Sequence, residues 1–222
     1  MGKRGVKPKG KVKIQWSHDF AYAVGLLATD GCLSGTKRHV VFVSKDLEQI
    51  KNFLKAFKIK DIKIGKTFSG YDRNMSYRVQ FGDVLFYNFL LSIGITSAKS
   101  KTIGAVKIPD KYFFDFLRGC LDGDGTFYSY WDPRWKSSFM FYTEFVSASQ
   151  KHVLWLQKQI SHFLGVWGHM TKARKGSVYQ LKYAKKDSIK ILSRMYRKKD
   201  ALFLKRKKLK IDKALGIIGK RL

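Results

Sequence analysis

Acidic residues are scarce in this chain: 16 Asp and Glu stand against 45 Lys and Arg, a formal net charge of +29 over 222 residues. A surface that only keeps a protein in solution mixes both signs, so this excess implies a polyanionic partner. Nucleic acid is the first candidate and an anionic membrane the second. Long apolar runs are missing too. The longest, such as residues 20–28, falls far short of the roughly 20 residues that a span requires. The N-terminus is basic without an apolar signal core, Val6 stands where myristoylation requires Ser or Thr, and no lipidation cysteine ends the chain. These absences set the membrane aside.

Only two cysteines occur, Cys32 and Cys120, too few for a disulfide framework or a Cys-based zinc site. An intracellular, reducing compartment is expected: a bacterial or archaeal cytoplasm, or an organelle, with no targeting signal evident. The five histidines show no metal spacing and no Ser or Cys partner pattern, which leaves a hydrolytic triad without support. Apolar and aromatic residues, at 45% and 15%, are ample for a packed core and exclude global disorder.

What the sequence does contain is an internal repeat. Phe20, Gly25, Leu27, Asp30 and Gly31 match Phe114, Gly119, Leu121, Asp124 and Gly125 at a constant spacing of 94 residues. Further on, Val43 and Ser44 meet Val146 and Ser147 at a spacing of 103, and residues 77–81 meet 179–183 at 102. The added residues fall in a longer hairpin around Trp131, Pro133 and Trp135. Each half reads as a helix ending at Asp-Gly, a hairpin, a second helix (46–57 and 150–164), a second hairpin and a closing helix. Turn residues at 69–74 and 175–177 support the second hairpins. Alternation puts Tyr77, Val79 and Phe81 on one face against Arg78 and Gln80, and Tyr179, Leu181 and Tyr183 against Gln180 and Lys182. One face packs on helices and the other is polar and basic. The division expected is a basic arm at 1–16, a first half at 17–101, a linker at 102–110 and a second half at 111–222 with a basic C-terminal helix.

Ala21, Gly25 and Thr29 recur every four residues, as do Gly119 and Gly123, which lines one face of each motif helix with small residues. Gly25 and Gly119 are therefore expected to let the two helices pack closely, and Gly31 and Gly125 to close them as left-handed C-caps. Side by side and parallel, the helices bring Asp30 and Asp124 together at two ends that the macrodipole already makes negative. Such a pair is mutually destabilising unless a cation neutralises it. Carboxylates, carbonyls and water form a hard-oxygen set that suits magnesium rather than zinc. An EF-hand loop starting at Asp122 is excluded, because Phe127 and Pro133 occupy the places that require Gly and Glu.

The two segments AVGLLATDG (23–31) and LRGCLDGDG (117–125) resemble the signature of the LAGLIDADG homing endonucleases in their single-chain, two-motif form, and the likeness extends over nearly the whole chain. It implies an α+β fold: a pseudo-twofold tandem αββαββα repeat, two saddle-shaped antiparallel sheets, and the LAGLIDADG helices at the interface. It implies a monomer that binds a long non-palindromic DNA duplex in the major groove. One phosphodiester per strand would then be hydrolysed across the minor groove, leaving short 3′ overhangs, in the service of intron homing. The metal would be Mg2+, with Ca2+ or Mn2+ as substitutes, held by Asp30 and Asp124 with the carbonyls of Thr29 and Gly123. Ala28 replaces the earlier acid of the signature, which Asp122 keeps in the second half. Lys45, Lys99 and Lys205 are nominated by position as the catalytic basic residues near the metals, which would order water and balance charge. Ala148 stands where Lys45 has its equivalent, which predicts unequal cutting of the two strands.

Strand side chains at alternate positions read a groove. Even steps from the aspartates give Ser34 and Thr36 in one half and Tyr128, Tyr130 and Asp132 in the other. Lys66, Arg78, Gln80, Lys172, Arg174, Gln180 and Lys182 are expected to extend that surface. The N-terminal basic run and residues 205–208 read as phosphate contacts. Two other functions fit the same scaffold: an intron RNA maturase, to which the Trp and Tyr content is suited, and a catalytically silent DNA-binding protein.

Overall fold

The computed structural model describes residues 10–68, 74–173 and 178–222. The first motif segment forms α1 (His18–Asp30), opened by Ser17, whose hydroxyl accepts the Phe20 N–H at 3.1 Å. There follow β1 (Gly31–Leu33), β2 (His39–Ser44), α2 (Leu47–Ala56), β3 (Gly65–Phe68), β4 (Met75–Gly82) and α3 (Val84–Ser92). A single 3-10 turn, Lys99–Lys101, then leads into the connection to the second half. That half repeats the order as α4 (Phe113–Asp122), β5 (Thr126–Trp131), β6 (Phe139–Ser147), α5 (Gln150–Leu164), β7 (His169–Lys172), β8 (Tyr179–Ala184) and α6 (Lys185–Met195). It then adds α7 (Lys205–Ile217) where the first half has only its 3-10 turn.

The two sheets have the same antiparallel order, β1-β2-β4-β3 and β5-β6-β8-β7, so the expected α+β tandem repeat is the observed architecture. Alternation explains the layering. Phe42, Val79 and Phe81 turn inward, and Phe42 stacks on Phe53 of α2 at 4.4 Å between ring centroids. In the second sheet Phe127, Phe141, Phe145, Leu181 and Tyr183 do the same. The motif helices α1 and α4 lie between the sheets and are buried along almost their whole length.

Two details of the helix ends differ from expectation. α4 stops at Asp122, so Asp124 sits in the turn beyond the helix rather than on it. Gly31 is extended (φ −80°) and Gly125 has no positive φ, so neither is a left-handed cap. What requires glycine there is room: a Cβ on Gly31 would lie 2.5–2.7 Å from Leu27, and one on Gly125 2.7–2.9 Å from Leu121. The turn segments 69–73 and 175–177, like residues 1–9, lie outside the described residues.

Candidate metal and nucleic-acid site

The site is set by how closely α1 and α4 approach. A Cβ built on Gly25 would stand 2.2 Å from the Phe116 carbonyl oxygen, and one on Gly119 2.1 Å from that of Tyr22. The two glycines face each other with backbones in contact, as the four-residue spacing predicts. One turn later, a Cβ on Gly123 would meet Thr29 Oγ1 at 2.0 Å and Asp30 Oδ2 at 2.9 Å. Asp30 and the Gly123-Asp124 turn are thus brought together at one end of the helix pair.

Electrostatics follow from that convergence. Partial burial, reinforced by the charge of Asp124, pushes the Asp30 carboxyl up to about 7. Asp124 is raised as well, again through partial burial, although Lys99 and Lys207 pull it back down. The two lysines are pseudo-symmetric mates. Lys99 Nζ donates to the carbonyls of Thr29 (3.1 Å) and Gly31 (2.5 Å) at the end of α1. Lys207 Nζ donates to those of Leu121 (2.6 Å), Asp122 (2.9 Å), Gly123 (3.0 Å) and Gly125 (2.6 Å) past α4. Both are buried, and burial lowers both ammonium pKa values, that of Lys207 to about 8. Each ammonium satisfies carbonyls that a helix C-terminus leaves without partners.

Lys207 and Gln49 are the residues that sequence reasoning missed. Lys205, nominated instead, is exposed on the outer side of α7, and its backbone N–H donates to Glu48 at 3.1 Å. Lys45 is exposed and makes no ion pair or side-chain hydrogen bond among the described residues. Its place at the acids is taken by Gln49, four residues on, whose amide donates to the Asp122 carbonyl (3.1 Å) and, at 3.5 Å, to Asp30 Oδ2. Ser44 fixes that amide by donating to its carbonyl oxygen at 2.5 Å. Lys99 and Lys207 are 108 residues apart, beyond the 94 to 103 of the earlier matched pairs, so spacing alone did not mark Lys207. Asp122 is buried, accepting Tyr22 Oη–H at 2.8 Å and the Leu204 N–H at 2.7 Å. It fastens the segment before α7 and does not share the site's solvent.

The donor chemistry fits a hard divalent cation. Asp30 accepts only the long Gln49 bond and Asp124 accepts none among the described residues, so two carboxylates meet with little to neutralise them except the lysines. The Thr29 and Gly123 carbonyls each hold one lysine, which leaves each a second lone pair. No group of three or more His, Cys, Asp and Glu forms among the described residues, so the oxygens of this pair and its neighbouring carbonyls are the donor set.

Register decides which strand residues share the outer sheet face. Arg78 and Gln80 lie on it beside Val43 and Val41, with the Arg78 guanidinium donating to the Gln80 amide oxygen. Gln180 and Lys182 lie on the outer face of the second sheet, Lys182 paired with Glu144 at 3.5 Å. Tyr128 and Tyr130 are exposed there and stack on Tyr142 at 5.4 and 6.3 Å. Lys66 and Lys172 do not belong to this face. Lys66 is registered with Tyr77 and Lys172 with Tyr179, both on the helix side, and Thr67, His169 and Thr171 occupy the outer positions instead. Ser34 and Thr36 lie in the β1–β2 turn, hydrogen-bonded to each other at 2.7 Å. Asp132 is buried in the β5–β6 turn, where Arg134 binds both its oxygens at 3.0–3.2 Å, so it shapes the turn. Arg174 lies outside the described residues. Among the described residues the outer strand positions carry only Arg78 and Lys182 as cations, so these positions are polar, and tyrosine-rich in the second sheet, rather than strongly basic.

No protein-family model and no curated protein matches the chain, but solved structures match it in fold. The homing endonuclease I-WcaI, bound to its DNA recognition sequence, aligns with a TM-score of 0.58 at 15% identity, over 94% of this chain and 95% of that one. I-DmoI in complex with DNA and Mn aligns at 0.52 and 16% identity, over 82% and 97%. Full-length DUF199/WhiA from Thermatoga maritima aligns at 0.56 and 15% identity over 95% of this chain, which spans 64% of that protein. At these identities the likeness is one of architecture: two αββαββα halves meet through glycine-paired motif helices, and the chain has the LAGLIDADG homing-endonuclease fold.

Proposed function

We propose that this chain is a site-specific DNA endonuclease of the homing type. It binds a long, non-palindromic duplex as a monomer and cuts both strands with a divalent metal, Mg2+ in the cell, leaving short 3′ overhangs. The observation that carries this reading is the pair of weakly neutralised carboxylates, Asp30 and Asp124, at the end of the α1–α4 contact. Fold alone would not suffice, since WhiA shares it and is not named as an endonuclease. I-WcaI bound to its DNA and I-DmoI with DNA and Mn are consistent with a duplex partner and a divalent ion.

Asp30 and Asp124 would hold the metal, with the free lone pairs of the Thr29 and Gly123 carbonyls as further donors. When bound, the metal supplies Lewis-acid polarisation of the scissile phosphate and a more acidic water. The protein's own groups do the rest. Gln49 orients Asp30, while Lys99 and Lys207 place two fixed positive charges beside the phosphodiester without competing for the carboxylates. The outer faces of the sheets, through Arg78, Gln80, Gln180, Lys182, Tyr128 and Tyr130, provide hydrogen-bonding and apolar contacts to base edges. The position equivalent to Gln49 in the second half is His152, whose Nδ1–H is directed to the Gly104 carbonyl at 2.7 Å. Only one half therefore sets a side-chain amide on the acid pair, and the two strands are cut at unequal rates.

A randomised duplex library incubated with full-length protein and Mg2+, followed by sequencing of cut ends, tests the proposal. One long asymmetric site cut on both strands is expected, and its cleavage is lost in Asp30→Asn and Asp124→Asn while binding survives. A chain that binds duplex but cuts no library member is a silent DNA-binding protein, and one that prefers intron RNA is a maturase; either outcome overturns the reading.

A further inference from the structure

The opposite end of the motif helices holds a cavity that the proposed cleavage does not use. Its volume is about 260 Å3, and it is lined by Lys111, Arg194, Arg197, Lys198, His18 and Asp115 together with Phe114 and Met195. His18 opens α1, so the cavity lies about 18 Å along that helix from Asp30, at 1.5 Å per residue. None of its lining residues belongs to a strand, so it stands off the sheet faces proposed to seat the duplex.

Its charge is one-sided. Asp115 is already engaged, by His18 Nδ1 at 2.7 Å and by buried Arg118 at 2.9 Å. Lys111, Arg194, Arg197 and Lys198 make no ion pair among the described residues. Two of these cations are held in place by aromatic rings: Arg194 lies 4.8 Å from the Phe114 ring centroid and Lys111 4.8 Å from that of Tyr112. Both motif helices also direct their positive N-terminal ends here, since Phe114 and Asp115 belong to the first turn of α4. Asp19 and Asp200 lie in an adjoining cleft that shares His18 and Lys198, which bounds the positive region on that side.

We infer that this cavity is a second nucleic-acid site, one that takes the phosphodiester backbone of a segment other than the duplex on the sheets. Four unpaired cations around one cavity exceed what a single phosphate neutralises, whereas successive phosphodiesters each supply one charge. The arginines add planar, stacking donors suited to an unpaired strand, whose bases are free. The assignment goes beyond the cleavage reading and does not rest on it.

Fluorescence anisotropy on the full chain, with a short labelled oligouridylate, an oligothymidylate of equal length and a duplex, tests it. The variant replaces Arg194, Arg197 and Lys198 together by Gln. All three are exposed, and thermal melting checks that the fold is kept. Single-strand affinity is expected to fall at least tenfold and its dependence of log K on log salt to flatten by about 2, at about 0.7 per phosphate contact. Duplex affinity stays unchanged, and Lys at the two arginine positions restores most of the single-strand binding. Equal weakening of single strand and duplex, or no weakening of either, overturns the inference. So does loss of inorganic phosphate binding with oligonucleotide affinity intact, which would assign the cavity to a small anion. An absence of cleavage by the wild type leaves every arm of this experiment readable.

Discussion

Lys205 and Lys207 stand two residues apart on α7, and only Lys207 belongs to the site. Its ammonium donates to four main-chain carbonyls past α4, whereas the Lys205 side chain faces solvent. Lys207→Met removes those donors and leaves buried acceptors unpaired, which is expected to destabilise the protein by about 1–3 kcal/mol and to impair cleavage. Lys205→Ala is expected to stay within about 0.5 kcal/mol of the parent; urea denaturation of the two variants side by side checks the contrast. The two acids were legible because repetition marks them at a constant spacing, and Lys99 by its position beside the closing helix. Gln49 and Lys207 were not, because what brings them to the acids is the rotation of α2 and α7 about their own axes. Spacing constrains that rotation only to within a turn, which is the error separating Lys45 from Gln49 and Lys205 from Lys207.

Among the elements, the α1–α4 contact is the one whose sequence pattern and structure agree most closely. Gly→Ala in an unpacked helix would be favourable by about 1 kcal/mol. Here the new methyl of Gly25→Ala would fall 2.2 Å from a main-chain oxygen of the partner helix, and neither backbone has a rotamer with which to yield. A loss of about 3 kcal/mol is expected, read as a lower melting temperature, and cleavage falls with it as the acids are moved apart. The second helix α5 coincides with the predicted span 150–164, and it makes the fold acid-sensitive. Its His152 is buried with its pKa pushed down to about 4 by desolvation, below the ordinary value near 6.5. A base depressed in the folded state contributes stability that is intact above pH 6.5 and lost as the pH falls toward 4, here about 3 kcal/mol. His152→Gln keeps a neutral donor near Gly104 and is expected to flatten that window in a pH series of thermal melts. Strand faces were less legible. Tyr77–Phe81 and its mate carry clear alternation, but β3 and β7 are four residues each, too short for a pattern to fix register. A slip of one residue moves Lys66 and Lys172 to the other face.

At the scale of the whole molecule, duplication gives the fold its symmetry and divergence gives each half its own chemistry. The halves share sheet order and helix order. They differ in Gln49 against His152, in a 3-10 turn against α7, and in an outer face that is tyrosine-rich only in the second sheet. The net charge of +29 pointed to a polyanion but not to a place, and the structure puts most of that charge off the outer strand positions. Asp30 and Asp124 are predicted to act together as one cation site. Calorimetric titration of the full-length protein with Mn2+ at pH 8, above the value near 7 to which Asp30 is raised, measures that directly. Saturable binding is predicted for the wild type, lost in Asp30→Asn and in Asp124→Asn alike and kept in Asp132→Asn, whose carboxylate serves only its turn. Binding that persists unchanged in both single Asn variants would contradict the shared site.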